Sequence, residues 1–175
     1  MTAFSVARAH KLHDSELAFR VSSDIVGNRN FLVRYAIKGG FSHILFVDSD
    51  ISFPDDALAR LFEHDKDIVG APYNKRSMPI ETTVKFLDNE GYPTKDKMDM
   101  PDRLFRCAAM GLGMVLIKTS VFEKIPMPWF QFEYDEQGQQ INGEDVWFFI
   151  RALNAGFDVW CDPLIEAAHH GEFAY

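Results

Sequence analysis

The stretch HILFVDSDISFP, His43–Pro54, ends an apolar run in two carboxylates one residue apart. Side chains alternate along a strand, so Asp48 and Asp50 are expected to point the same way at its C-terminal end, with Ser49 opposite. Two carboxylates so placed suit Mg2+ or Mn2+, ions that take oxygen ligands and complete their shell with water and substrate phosphates. A metal so held can neutralise a diphosphate leaving group, which gains negative charge as its bond to a sugar breaks. The plainer reading is an Asx-type turn leading into the next helix. A second Asp-x-Asp, Asp65–Asp67, precedes a strand rather than ending one and reads as a solvated helix exit.

A second group of reactive side chains lies in NGEDVWFFIRALNAGFDVWCDPLIEAAHHG, Asn142–Gly171. Glu144 and Asp145 open a helix, where the dipole keeps carboxylates ionised and able to accept a proton. Taken alone, such acids are more often helix-start residues than catalysts. His169 and His170 follow an apolar stretch, where a neutral imidazole would complete a metal site or simply be a satisfied core or surface residue.

The elements that must position these groups alternate in type. Thr2–Glu16 reads as a helix, Leu17–Ser23 as a strand, and Asn28–Gly40 as a helix ended by its two glycines. The strand His43–Asp48, buried on both faces, leads to a helix over Pro54–His64, with proline where a first turn tolerates it. Asp67–Tyr73 is another buried strand, and Tyr73–Arg103 reads as a long polar surface excursion. Arg103–Ala109 and Met114–Lys118 read as strands around a Gly111 and Gly113 turn. Then come a short helix over Thr119–Lys124, a loop with exposed aromatics over Ile125–Gln140, the helix Gly143–Gly156 and a last strand, Phe157–Asp162. Strands alternating with helices predict an α/β sandwich with a mostly parallel sheet, whose ligands sit outside the carboxyl ends of the strands.

Composition narrows the field. At 175 residues with 47% hydrophobic side chains, the chain suits one domain over residues 1–175 with a sizeable core. A net charge of −8 without a basic run argues against nucleic acid. The longest uncharged apolar run, Ala108–Ile117, is far short of a bilayer span, and the N-terminal segment lacks the apolar core of a signal peptide. Cys107 and Cys161 both fall in expected strands, so buried free thiols in a reducing, cytoplasmic setting are expected rather than a disulfide.

Together the blocks GNRNFLVRYAIKGGFSHILFVDSDISFP, DIVGAPYNKR, AMGLGMVLIKTSVFEKI and GEDVWFFIRALNAGFDVWCDPLIEAAHHG resemble, in that order, the GT-A glycosyltransferases, particularly small family-2-like and phage-type members. The resemblance covers most of Gly27–Gly171. It implies a metal-dependent hexosyltransferase-like enzyme, inverting in type, that moves a sugar from a nucleotide-diphosphate donor, UDP-linked in preference to GDP-linked, to a glycan or other hydroxyl acceptor. On that resemblance Asp50 would be the direct Mn2+ or Mg2+ ligand, Asp48 would lie nearer the ribose or a metal-bound water, and His169 would be the third protein ligand. Asp145 would be the catalytic base, with Glu144 beside it as the alternative. Arg29 and Asn30 would lie near the nucleotide, Lys75 or Arg76 would reach phosphates, and Gly111 and Gly113 would border the donor sugar, where absent side chains admit a ligand. Trp129, Phe130 and Trp147 would offer stacking surfaces to a sugar acceptor, Trp147 reading as well as core.

Members of that family begin with an apolar strand whose following loop holds the base, whereas this chain opens on the helix-like TAFSVARAHKL. Either the copy is N-terminally incomplete or the base pocket is built differently. In both cases the sheet gains an exposed edge that a homodimer would cover. A non-enzyme alternative is a degenerate GT-A domain binding nucleotide or glycan without turnover. Haloacid-dehalogenase-like phosphatases also place Asp-x-Asp after a strand but continue with Gly and Thr, whereas Ile51 and Ser52 follow here. Sugar nucleotidyltransferases carry an early glycine-rich phosphate loop that is absent here.

Overall fold

A computed structural model describes residues 5–6, 15–94, 96 and 98–171. Helix α1 spans Ile25–Lys38, and its start is set by Asp24, whose carboxylate accepts from the Gly27 amide at 2.8 Å. Lys38 sits in its last turn and Gly39 caps it; Gly40, with φ +72°, then turns the chain into strand β1, His43–Val47. Strand β2 is Ile51–Ser52, helix α2 Ala57–Glu63 and strand β3 Ile68–Gly70. Strands β4, Phe105–Cys107, and β5, Met114–Lys118, precede helix α3, Thr119–Lys124. Strands β6, Glu133–Tyr134, and β7, Gln140–Asn142, form a hairpin before helix α4, Glu144–Asn154. Strands β8, Val159–Cys161, and β9, Ala168–His169, complete the order.

The central sheet runs β1-β5-β3-β8-β4. Strand β5 is antiparallel to both β1 and β3, β4 is antiparallel to β8, and only β3 and β8 pair in parallel. The class is mixed α/β, and the expectation of a mostly parallel sheet is corrected. Alternation of helix and strand along the chain does put β1, β3 and β8 in one direction. The expectation failed because β5 returns between β1 and β3 in the opposite sense. Nor do β4 and β5 form a hairpin around Gly111 and Gly113: both run against their neighbours, and the turn carries the chain from one side of the sheet to the other.

The core explains why the middle strands are apolar without alternation. In β5, Val115 and Ile117 face a cluster that includes Val33 of α1, Phe122 of α3 and Phe148 and Phe149 of α4. Met114 and Leu116 face the opposite cluster, with Leu58 and Leu61 of α2. Ile68 and Val69 of β3 divide the same way, so helices cover both faces. Strand β1 differs from expectation. It is an edge strand, fully buried only at Phe46.

Other expectations change too. Leu17–Ser23 forms no strand, and Phe19 and Val21 are exposed, because no neighbouring strand pairs with the segment among the described residues. Of the expected N-terminal helix, Ser5 and Val6 are helical, Ser15 and Glu16 are not, and residues 2–4 and 7–14 lie outside the described residues. The loop after α3 exposes only part of its aromatics: Tyr134 is exposed, whereas Trp129 and Phe130 are buried in the core. The excursion after β3 is anchored by buried Val84 and Phe86 and by a bridge from Lys85 to Ala109. Cys107 and Cys161 are buried free thiols, as expected, and burial pushes the Cys107 thiol up to about 12. Among the described residues, no helix is long and apolar enough to cross a membrane.

Candidate active site

Because β1, β3 and β8 run together, their carboxyl ends share one edge of the sheet. There the DSD segment is a turn rather than a continued strand: the Ile51 amide donates to the Asp48 carbonyl at 3.1 Å, and the Asp48 amide to the Gly113 carbonyl at 3.2 Å. The expected strand alternation through Asp50 therefore stops at Asp48, and the two carboxylates engage different partners.

Asp48 turns to Arg29. The Arg29 guanidinium is buried in α1, with Nη2 3.3 Å from Asp48 Oδ1 and Nη1 donating to Glu144 Oε1. One planar fork thus ties the DSD turn to the first turn of α4, a geometry that lysine would not reproduce. Beside Glu144, Asp145 is half-buried, and its Oδ1 accepts from the Val146 amide at 2.7 Å. No hydrogen bond reaches its Oδ2 among the described residues. The two acids expected as base and alternative base are thereby separated: Glu144 belongs to a buried ion pair, and Asp145 is half-buried with its hydrogen bond confined to its own helix start.

Asp50 turns to the C-terminal segment. Pairing of β2 with β9 sets Ile51 opposite His169, which brings His169 Nε2 to 3.2 Å from Asp50 Oδ2. His169 Nδ1 lies 3.0 Å from the Asn74 carbonyl. A carbonyl only accepts, so Nδ1 carries the hydrogen and, in the neutral ring, Nε2 presents its lone pair to the carboxylate. Two such atoms need a cation or a proton between them. The His170 amide donates to the Asp50 carbonyl at 2.7 Å, and its Nε2 meets Ser52 Oγ at 2.6 Å, which fixes this turn against β9. Arg76, half-exposed, places Nη2 3.2 Å from Asp50 Oδ2, while Lys75 pairs with Glu81 at 3.1 Å.

Asn30 bonds to none of these side chains. Its Nδ2 donates to the carbonyls of Val26 and Phe130, and its Oδ1 accepts from the amides of Trp129 and Phe130. It is a clamp on the loop after α3. Gly111 and Gly113 leave space that Tyr73 fills: a Cβ on Gly111 would stand 2.1 Å from Tyr73 Oη, and the Gly113 amide donates to that hydroxyl at 3.1 Å. Burial foremost, then the Asp48 carboxylate, raises the Tyr73 hydroxyl well above the ordinary phenol range, against the opposing Gly113 amide and Arg29. Its ring meets His169 edge-on at 5.3 Å.

Sequence reasoning missed Tyr73, Asn74 and Ser52. An aromatic directly after a strand end was the available signal for Tyr73, but nothing local links it to glycines about forty positions on. Among the described residues, no group of three or more His, Cys, Asp and Glu side chains converges as a ligand set. Of the three expected metal ligands, Asp50 and His169 face each other and Asp48 is held by Arg29.

No family model matches the chain, and no curated protein matches it. Among solved structures, the crystal structure of A197 from STIV is similar, with a TM-score of 0.64 at 18% identity over 95% of this chain and 78% of that one. At that identity the likeness concerns fold: a mixed α/β domain of comparable extent.

Proposed function

We propose that this protein is a metal-dependent glycosyltransferase of the GT-A kind, moving a sugar from a nucleoside diphosphate donor to an acceptor hydroxyl with inversion at the anomeric carbon. The observation that carries the reading is the 3.2 Å approach of His169 Nε2 to Asp50 Oδ2 with Nδ1 committed to a carbonyl. Two ligand atoms on an octahedral ion, each about 2.1 Å from it and at right angles, stand about 3.0 Å apart. The pair therefore fits neighbouring positions on one Mg2+ or Mn2+, with remaining positions for water and phosphate oxygens. Bound there, such a cation would offset the charge that develops on the departing diphosphate.

The rest falls to the chain's own residues. Asp145 Oδ2 takes the proton of the acceptor hydroxyl as its oxygen attacks the anomeric carbon, and the sugar's bond to the diphosphate breaks on the opposite face. Arg29 holds Asp48 and Glu144 and so fixes the distance between the turn and the base-bearing helix, which supports positioning as the main contribution. Trp129 and Phe130, being core, are withdrawn as acceptor platforms. Trp147 remains on α4 with Arg151 over its ring at 5.7 Å.

Calorimetric titration of UDP and of GDP, with and without Mn2+, tests the reading. Metal-dependent binding of one nucleotide, lost in Asp50→Ala, is the expected result, and absence of binding by either under both conditions would sink it. A second reading, binding without turnover, draws on the engagement of Asp48 by Arg29 rather than by the Asp50 site. Failure to hydrolyse the bound nucleotide's sugar conjugate in Mn2+ would favour it.

A further inference from the structure

The Asp50 carboxylate has two nitrogen neighbours on a single oxygen. His169 Nε2 and Arg76 Nη2 both stand 3.2 Å from Oδ2, and Arg76 Nη1 is 3.5 Å from the His170 carbonyl. The Arg76 side chain is 50% exposed, and both of its contacts are made at the guanidinium end. A divalent ion on Asp50 and a guanidinium on the same oxygen repel each other, and the pair cannot coexist at these distances without loss. Arg76 differs in this from Arg29, whose fork is buried between two carboxylates.

We propose that Arg76 is an exchangeable counter-ion: it neutralises Asp50 while no divalent cation is bound, and it passes to the diphosphate of the nucleotide when cation and nucleotide arrive together. The inference rests on the metal site proposed above. It makes the site self-limiting, since a bare cation must displace Arg76, whereas a cation accompanied by a diphosphate gives the guanidinium a new bidentate partner. Cation and nucleotide binding are thereby coupled through one side chain, and each raises affinity for the other.

The consequence is a pair of effects of opposite sign in one variant. Arg76→Gln is expected to bind free Mn2+ about threefold more tightly than the wild type, followed by the electron spin resonance of the unbound ion, because a competing charge of exposed-pair strength is gone. The same variant is expected to bind UDP, or GDP if that is the nucleotide the wild type takes, at least about fivefold more weakly at saturating Mn2+, because a charge-assisted contact to phosphate is lost. The matching nucleoside, which lacks phosphates, separates phosphate contact from base contact: its binding should not change. Raising the salt should shrink the gain in free Mn2+ affinity. Arg76→Lys, which keeps charge without the fork, should fall between on the nucleotide arm, and superimposable thermal melts establish that the variants fold.

Weakening of both Mn2+ and nucleotide binding in Arg76→Gln, or no change in either, overturns the exchange. If that happens while the wild type binds nucleotide only with Mn2+ and Asp50→Ala abolishes it, the metal site stands and only the role of Arg76 falls. If the wild type binds no Mn2+, both readings fall together.

Discussion

At the residue scale, adjacent acids at the start of α4 have opposite roles. Glu144 is buried against Arg29, whereas Asp145 is half-buried and, among the described residues, accepts only the Val146 amide. Glu144→Gln should lower stability by about 1–3 kcal/mol, since Arg29 loses one of two charged partners in a dry setting. Asp145→Asn should cost less than about 1 kcal/mol, the scale of a carboxylate's interaction with a helix dipole, while lowering turnover by about a hundredfold or more and sparing Mn2+-dependent nucleotide binding. Chemical denaturation together with a transfer assay separates the two, and equal stability losses would contradict the division. The candidate residues were legible at this scale: acids after a strand, acids at a helix start and a histidine near the end all reach the same edge. Their partners were not, because Arg29 and Asp48 belong to elements whose mutual placement no spacing encodes. Gly111 and Gly113 were singled out for open space, and the space exists, but Tyr73 occupies it.

At the scale of elements, Asn30 is the seam between α1 and the loop after α3. A single side-chain amide takes the amides of Trp129 and Phe130 and gives to the Phe130 carbonyl, and Trp129 Nε1 in turn donates to the carbonyls of Phe122 and Ile125. Asn30→Ala leaves buried backbone groups without partners and should cost about 2–3 kcal/mol in urea unfolding. Hydrogen exchange at the Trp129 and Phe130 amides should quicken in the folded variant, and unchanged protection there would refute the clamp. The loop reads as polar and aromatic because its hydrogen bonds are made to a helix about a hundred residues earlier. All four helices were legible, α1 from the glycines that end it, though it starts at Ile25 rather than Asn28, and α4 from the acids of its first turn and the glycine beyond its end, whereas β6 and β7 were hidden because their residues are mostly exposed.

At the scale of the molecule, Asp162 locks β8 to α2. Its carboxylate, 3% exposed, accepts from Arg60 at 3.0 Å and the Leu164 amide at 2.9 Å and meets His64 Nε2 at 2.9 Å. Burial alone would raise its pKa, but His64, the Leu164 amide and Arg60 outweigh burial and hold it below the ordinary value of 3.8. A carboxylate depressed in the native state stabilises above its unfolded value and loses that contribution as pH falls through the native one. Urea midpoints of the wild type should therefore drop below about pH 4, and Asp162→Asn should start lower at pH 7 with a flatter acid limb. Parallel acid limbs in the two proteins would contradict this.

The sequence by itself determined the four described helices, the strands of the central sheet including the burial of β3, and the reactive side chains that gather at one edge. Those follow from local spacing, since periodicity and capping act within a few residues. Only the tertiary structure decided that β5 lies between β1 and β3, that β1 is an edge, and that Asp50 meets His169 across 119 positions while Arg29 meets Glu144 across 115. A strand apolar on both faces satisfies its burial equally well with parallel or antiparallel neighbours, so its composition leaves order and direction open. The choice is made when the helices close over both faces at once, and the site is the set of side chains which that closure brings to one end of the sheet.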